Sequence, residues 1–313
     1  MTELSLQVNM ADQVYKIIVL HDNPKWFPLV KDALKDYDVV VDEWVSDEVD
    51  IDLTSSPPEN TIFYNRCSPT SHTRGHPLSL EQARVIIKWL RHHNVTVVNG
   101  LPAIDIEDSK AFQYVMAKDC GLNIPQTVFT SRPTKALIQK HFGTDAPFVI
   151  KPDRGGHGIN IQLYHNVAEF ESEKELPGSY TGLYLIQSYL PPTSGVYRAE
   201  FVAQQFLYVS KATMCDGFSS NYCPDDLPKD RFQILKDLED PVIDKCTKLF
   251  QTPGLDNGAV EFIYGPDGVP YVIDINCNTV YNSKAEIEAG VPQGWRKVAE
   301  MLVENISYLK KSK

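Results

Sequence analysis

Short apolar runs separated by amphipathic stretches dominate the first hundred residues. KIIVL at 16–20 is followed by HDNP and reads as a buried strand ending in a loop. Residues 26–37 carry apolar spacing compatible with a helix. DVVVDEW at 38–44 reads as a second strand, and TIFYN at 61–65 as a third. The third strand runs into the polar loop RCSPTSHTRGHP. Ser79 is placed to cap the helix SLEQARVIIKWLRHH, with Gln82 three residues later as in a capping box. VTVVNG at 95–100 reads as a fourth strand. Strands alternating with helices in this way predict a parallel, doubly wound sheet. No Gly-x-Gly-x-x-Gly follows the first strand, so a dinucleotide domain is not indicated.

The pattern then changes. Asp108 or Ser109 starts a helix closed by Gly121. TVFT is a strand and PTKALIQKHFG a helix. From Pro147 on, PFVIKP is a strand, RGGHG a glycine-rich turn and INIQLY a returning strand. YLIQSYL, RAEFVAQQFLYVSKATM, GAVEFIYG and PYVIDINC are all strand-like, so the C-terminal half is richer in antiparallel sheet. A helix near GWRKVAEMLVENI closes the chain. There is no internal repeat and no low-complexity segment.

Composition narrows the function classes. The chain has 313 residues, 42% of them hydrophobic, which excludes a disordered tail and allows two or three lobes with a sizeable core. Thirty Lys and Arg against 41 Asp and Glu give a net charge of −11. That acidity argues against a nucleic-acid partner. The six cysteines form no Cys-x-x-Cys pair, as expected of reduced thiols in a cytoplasmic protein. No apolar run approaches the roughly 20 residues that span a bilayer, so no membrane partner is expected.

Two stretches can carry chemistry. In FVIKPDRGGHGINI, Lys151 ends an apolar strand, and Gly155, Gly156 and Gly158 form a turn. Glycines let backbone N–H groups approach phosphate oxygens, and a lysine adds a point charge to the same phosphates. A plain hairpin turn beside a snorkelling lysine is the alternative. In GAVEFIYGPDGVPYVIDIN, alternation puts Val272, Asp274 and Asn276 on one face of the second strand. Asp274 and Asn276 offer hard oxygens suited to Mg²⁺ on nucleotide phosphates. If Gly265 pairs with Gly268, Glu261 sits opposite Val272 and diagonal to Asp274, about 7–8 Å away. A three-residue loop with a bulge at Gly268 turns Glu261 to the other face. A third stretch, LIQSYL, is a strand leaving the sheet at Pro191, which would free backbone groups to read a purine edge; a core strand is the alternative.

The order of Lys110 opening a helix, Lys151 before a glycine turn, the hinge at 187–190, and then Glu261, Asp274 and Asn276 resembles the ATP-grasp superfamily. The closest likeness is to RimK-type and glutathione-synthetase-type ligases, over roughly 95–285. The resemblance implies an α/β (α+β) chain: an N-terminal doubly wound parallel-sheet domain at 1–100, a linker and lid subdomain at 101–186, and a C-terminal subdomain at 187–313. The last two would clasp ATP. Lys110 and Lys151 would hold its phosphates under a lid formed by Gly155, Gly156 and Gly158, with His157 as a further phosphate or substrate contact. Gln187, Ser188 and Leu190 would lie on the adenine. Arg198 would face the transferred phosphate and the substrate, Lys211 would add a second basic group, and Asn221 would lie near the phosphates. Glu261, Asp274 and Asn276 would bind two Mg²⁺, with Mn²⁺ as a substitute, and Asn278 would touch substrate.

Two departures stand out. LPPTSGVYR has no carboxylate for the ribose before Glu200, and the motif ends Asn-Cys-Asn-Thr where many ligases have Asn-Pro. The implied chemistry is phosphorylation of a carboxylate by ATP and displacement of phosphate by an amine, catalysed by positioning and charge neutralisation. Partners would be a small carboxylate and an amine (an amino acid or peptide), and a second copy in a homodimer. Arg66 and Arg74, in the loop after the third strand, can grip a substrate carboxylate as bidentate forks; a solvated surface loop is the alternative. An ATP-grasp kinase of the inositol-phosphate type shares the Ile-Asp-Ile-Asn run and stays open, as does a protein that binds ATP without turnover.

Overall fold

The computed structural model describes residues 14–191, 194–212, 232–236 and 238–311. The first sheet is parallel, with strands β1 (Lys16–His21), β2 (Val40–Val45), β3 (Thr61–Arg66) and β4 (Val97–Val98) in the order β2-β1-β3-β4. Side chains alternate across it. Ile18, Leu20 and Phe63 pack with Leu80, Ile86 and Leu90 of α2 (Ser79–His92). Ile17, Val19 and Ile62 pack on the other face with Val30 of α1 (Phe27–Ala33) and with Val298, Leu302 and Ile306 of the last helix. Both faces are buried, which is why β1 is apolar from Ile17 to Leu20.

The expected capping box does not form. Leu78 is the N-cap of α2 and makes no side-chain cap bond. The Ser79 hydroxyl is buried and bonds instead to the Ser46 hydroxyl at 2.6 Å, while the Gln82 amide donates to the Val49 carbonyl at 2.9 Å. The loops after β1 and β2 supply tertiary partners that outcompete the helix end.

A helix not anticipated from the sequence, α3 (Leu101–Asp108), follows β4, with a proline in its first turn. Ser109 then caps α4 (Lys110–Asp119), its hydroxyl accepting from the Phe112 N–H at 3.1 Å. Gly121 ends the segment at φ 78°, a conformation that favours glycine.

The second sheet is antiparallel: β5 (Thr127–Thr130), β6 (Phe148–Pro152), β7 (Gln162–Tyr164) and β8 (Tyr184–Ser188) in the order β5-β8-β6-β7. Helices α5 (Lys135–Phe142) and α6 (Val167–Ser172) cover it, and Ile138, Phe148, Ile150, Tyr164, Val167 and Ile186 form its core. The returning strand starts later than expected, because His157, Gly158 and Asn160 all have positive φ and keep the loop coiled.

The third sheet, also antiparallel, runs β11-β10-β9-β12-β13, where these are β9 (Val196–Val202), β10 (Gln205–Ala212), β11 (Phe232–Leu235), β12 (Asn257–Tyr264) and β13 (Pro270–Asn276). The run that begins at Arg198 is thus two strands as far as Ala212, turned by Ala203 and Gln204 at φ 51° and 61°. That turn carries no Asn-Gly signature and is silent in the sequence. Helix α7 (Pro241–Phe250) packs behind the sheet with α3 and α4.

After β13 come α8 (Ser283–Ala289) and α9 (Gly294–Lys311). The stripe Val298, Leu302, Ile306 returns α9 to the first sheet, so this part of 187–313 packs with the N-terminal unit. At the other boundary, β8 continues through residue 186 to Ser188.

Candidate active site

A cavity of about 480 Å³ is lined by the second sheet, the third sheet and the glycine loop. Its polar wall is built on β12 and β13. The Gly265 N–H donates to the Val269 carbonyl at 2.9 Å, and Gly268 sits at φ 73°, so the hairpin has the bulged loop. That bulge alone would turn Glu261 away from Asp274. A second irregularity, at Ile273, shifts the register by one and sets Glu261 directly opposite Asp274. The expected diagonal placement is therefore corrected to a direct pair. Val272 is likewise corrected: it lies in the core with Phe262, not on the face of Asp274. Glu261, Asp274 and Asn276 all line the cavity, and Asn276 Nδ2 is buried without a partner among the described residues.

The edge of β13 is held by side chains from α3 and α4. The Gln113 amide oxygen accepts from the Ile275 N–H at 3.0 Å, and the Tyr114 hydroxyl donates to the Ile273 carbonyl at 2.9 Å. Glu107 Oε1 accepts from the Cys277 N–H at 2.5 Å and the Asn278 N–H at 3.1 Å. Glu107 lines the cavity yet is only 3% exposed, and burial pushes its carboxyl up to about 8. Sequence reasoning missed it; an acid inside the apolar run AIDIED was the available signal.

Three cations meet these carboxylates. Lys110 at the start of α4 is ion-paired with Asp274; burial opposes its charge, but Asp274, Tyr114 and Glu261 together outweigh burial and the ammonium is held above its usual range. Asp153, just past β6, accepts from the Ser109 hydroxyl at 3.1 Å and the Ala111 N–H at 2.8 Å, which fixes the helix start against the strand bearing Lys151. Lys151 is 5% exposed and donates to the Tyr114 hydroxyl at 2.5 Å. Burial first, then the Lys110 charge, push Lys151 down to about 7. Arg198 bridges Glu200 at 2.6 Å and Glu261 at 2.5 Å. Burial works against its charge, and the two carboxylates more than compensate.

The glycine loop lies over this group. A Cβ on Gly156 would meet the Thr70 side chain at 3.2 Å, so the loop sits close against the first unit. His157 lines the cavity in a left-handed conformation at φ 58°; burial and the nearby Arg74 hold it below its usual range. Arg154 anchors the loop through Glu81 at 2.8 Å, an ion pair with Asp108, and the face of Tyr180. At the far end Gln187, Ser188 and Leu190 line the cavity, with the Gln187 amide donating to Thr127 Oγ1 at 2.8 Å. The strand exit frees fewer donors than expected: the Ser188 and Tyr189 N–H groups donate to the Gln126 and Pro147 carbonyls.

No family model and no curated protein matches this sequence. Solved structures do match in shape. The ATP-grasp ligase PsnB, complexed with minimal precursor, Mg and ADP, superimposes with a TM-score of 0.65 at 15% identity, covering 93% of this chain and 97% of that one. D-cycloserine synthetase DcsG gives 0.61 at 14%, covering 93% and 99%. The macrocyclase MdnC of Microcystis aeruginosa MRC, bound with precursor peptide MdnA, gives 0.61 at 17%, covering 92% and 99%. The chain has the ATP-grasp fold.

Within this ATP-grasp fold the remaining sequence-derived candidates scatter. Lys211 pairs in register with Tyr197, stands over its ring at 5.3 Å, and so occupies the face opposite Arg198. Asn278 lines the cavity and its amide donates to the Cys67 carbonyl. Arg74 is ion-paired with Asp22 and donates to Ser68 Oγ at 2.6 Å and Thr70 Oγ1 at 2.9 Å. Arg66 is fully buried among Trp26, Tyr64 and Trp295, and its Nη1 donates to the Thr279 carbonyl at 3.0 Å. Both arginines stack on Trp26, which itself lines the cavity. The solvated-loop alternative is thus set aside for Arg66. Asn221 lies outside the described residues.

Proposed function

We propose that the protein is an ATP-dependent carboxylate–amine ligase of RimK type, forming an amide through an acyl phosphate and releasing ADP and phosphate. The observation that carries this reading is the convergence of Lys110, Lys151 and Arg198 with Glu261, Asp274 and Asn276 around one cavity. Lys110 and Lys151 would neutralise the phosphates, and Arg198 the transferred group and the acyl phosphate. Backbone N–H groups of the glycine loop, with His157, would close over the phosphates and keep water out. Gln187, Ser188 and Leu190 would hold the adenine.

The donor set fits Mg²⁺, with Mn²⁺ as a substitute: two opposed carboxylates and an amide, all hard oxygens on one face. Glu261, Asp274 and Asn276 would hold two Mg²⁺, which would supply charge neutralisation at the phosphates; without metal, Lys110 and Arg198 pair with two of those carboxylates. PsnB, a neighbour in fold solved with Mg and ADP, supports a nucleotide and Mg²⁺ in general.

Of the units 1–100, 101–186 and 187–313, the last two would clasp the nucleotide, with β8 kept whole to Ser188 and α9 packed on the first unit. Asn278, which lines the cavity, would serve the substrate carboxylate; Arg66, fully buried, and Arg74, paired with Asp22, are corrected from substrate forks to braces of Trp26 in the cavity wall. A cytoplasmic location agrees with free thiols at Cys67, Cys120, Cys246 and Cys277, and among the described residues no helix is long and apolar enough to cross a membrane. Any homodimer would be a separate property of the surface. A polyphosphate kinase substrate would need basic residues facing the nucleotide, whereas the cavity wall beyond Arg198 carries Glu200.

The test is turnover of ATP and Mg²⁺ against pooled amino acids and small carboxylic acids, with hydroxylamine as trap. Equal ADP and phosphate with a hydroxamate product are expected. ADP without matching phosphate would identify a kinase instead.

A further inference from the structure

Trp26 lines the cavity, and the two arginines stacked on it do not. Arg66 is fully buried, with its guanidinium 5.2 Å from the Trp26 ring and 5.3 Å from the Trp295 ring. Arg74 stands 5.5 Å from the same Trp26 ring and is ion-paired with Asp22. Arg66 also holds the segment after β13: its Nη1 donates to the Thr279 carbonyl at 3.0 Å, and the neighbouring Asn278 amide donates to the Cys67 carbonyl. Val280, next in the chain, lines the cavity and is 54% exposed. The link through Arg66 therefore gathers Trp26, Asn278 and Val280 at one end of the cavity.

That end presents apolar surface and no cation. A half-buried indole and an exposed valine in one wall gain by leaving water. Among the described residues, the cavity's basic side chains are Lys110, Lys151 and Arg198, with His157 in the glycine loop. None of them comes from the first unit or from the segment after β13. Lys110 and Arg198 already answer Asp274 and Glu261. The polar groups beside Trp26 are neutral: the hydroxyls of Ser68 and Thr70 and the amide of Asn278. They can meet one carboxylate, but they bring no charge to a second.

We propose that Trp26 and Val280 determine specificity for the acid: it carries a single carboxylate and turns an apolar group, not a second carboxylate, towards them. This rests on the ligase reading above and adds what the acid must carry. A second carboxylate at this end would lose its water with no cation to replace it, which is far more costly than leaving apolar surface wet. An alkyl or aryl group covers the indole and the valine and loses nothing on leaving water.

Calorimetry on the full chain with Mg²⁺ and AMP-PNP tests this, using paired acids: hexanoate against adipate, and phenylacetate against para-carboxyphenylacetate. The second member of each pair adds a carboxylate at its far end. In at least one pair the monocarboxylate is expected to bind about tenfold tighter or more. Val280→Lys, at an exposed position, is expected to bring that ratio close to one or reverse it. Trp26→Ala is expected to weaken the monocarboxylate severalfold, and Trp26→Phe to keep most of its affinity. Should Trp26→Ala fail to fold because Arg66 and Arg74 lose their ring, Val280→Lys decides. Binding of neither member of any pair, a dicarboxylate that binds as tightly in both pairs, or a ratio that Val280→Lys leaves unmoved overturns the proposal. Hydroxylamine trapping tests the ligase reading separately. Hydroxamate formed equally from both members of each pair overturns the apolar end alone. A binding preference with no hydroxamate from these probes or from the pooled acids supports the apolar end and overturns the ligase.

Discussion

Glu261 and Asp274 face each other directly across β12 and β13, although the hairpin joining them contains a bulged loop that would set them on opposite faces. The extra residue at Ile273 cancels the extra residue at Gly268. Side chains change face with every one-residue slip, so two slips restore the pair. The outer edge of β13 can accommodate the irregularity because Gln113, Tyr114 and Glu107 satisfy its backbone in place of a further strand.

Under the proposed chemistry, Glu261→Gln and Asp274→Asn should each lower Mg²⁺-dependent ATP turnover on the order of 100-fold, the scale of losing one electrostatic contact to a transition state. Each should also raise the Mg²⁺ concentration needed for half-maximal rate. Steady-state rates measured across a Mg²⁺ series check both. A rate that falls with an unchanged Mg²⁺ requirement would remove these residues from the metal site.

The strands were legible where burial on both faces leaves continuous apolar runs, as in KIIVL, FVIKP and AVEFIY, while the domain plan came only from the family resemblance. The site was legible only in part. Lys110 opens α4, Lys151 and Asn276 lie near the ends of β6 and β13, and Arg198, Glu261 and Asp274 lie within their strands, each in a short motif visible in the sequence. Glu107 was missed because its placement depends on a contact between distant segments, its carboxylate with the Cys277 N–H. The Ile273 bulge was hidden for the same reason: tertiary partners set the register, and no local residue type marks it. The stripe on α9 announced a helix without naming the sheet it would cover.

Glu107 should act as a positioning residue. Glu107→Ala leaves the buried Cys277 and Asn278 N–H groups without acceptors, a loss of about 2–4 kcal/mol read by urea unfolding. Turnover should fall by about 10–100-fold with it, as for outer-shell partners of metal ligands, and Glu107→Gln should restore most of both. The pH dependence has a definite sign. Because its folded carboxyl is raised to about 8, the folded state holds a proton that the unfolded chain releases, so this contribution is full below about 4.5 and is lost as pH rises towards 8. Glu107→Gln should flatten that slope.

Arg154 ties the glycine loop to α2 and α3 through Glu81 and Asp108. Arg154→Ala should free the loop and raise KM for ATP roughly tenfold, equivalent to about 1.4 kcal/mol, the low end for one charged hydrogen bond. kcat should change less if closure is still reached at saturation. An unchanged KM would mean that the loop closes without this anchor.

Lys151 gives a prediction that needs no knowledge of the substrate. Its ammonium is pushed down to about 7 by burial and by Lys110, so at pH 8 about nine in ten free molecules carry it neutral. A triphosphate beside it would favour the charged form and raise its pKa. Nucleotide binding at pH 8 should therefore take up close to one proton, and affinity should fall as pH rises above about 7. Calorimetric titration of AMP-PNP with Mg²⁺ in buffers of different ionisation enthalpy measures the uptake directly. Lys151→Met should abolish both the uptake and the pH dependence, because it keeps the apolar stem and removes the titrating group. Proton uptake that persists in Lys151→Met would assign the coupling to another group, and His157, held below its usual range in the same loop, would be the next to test.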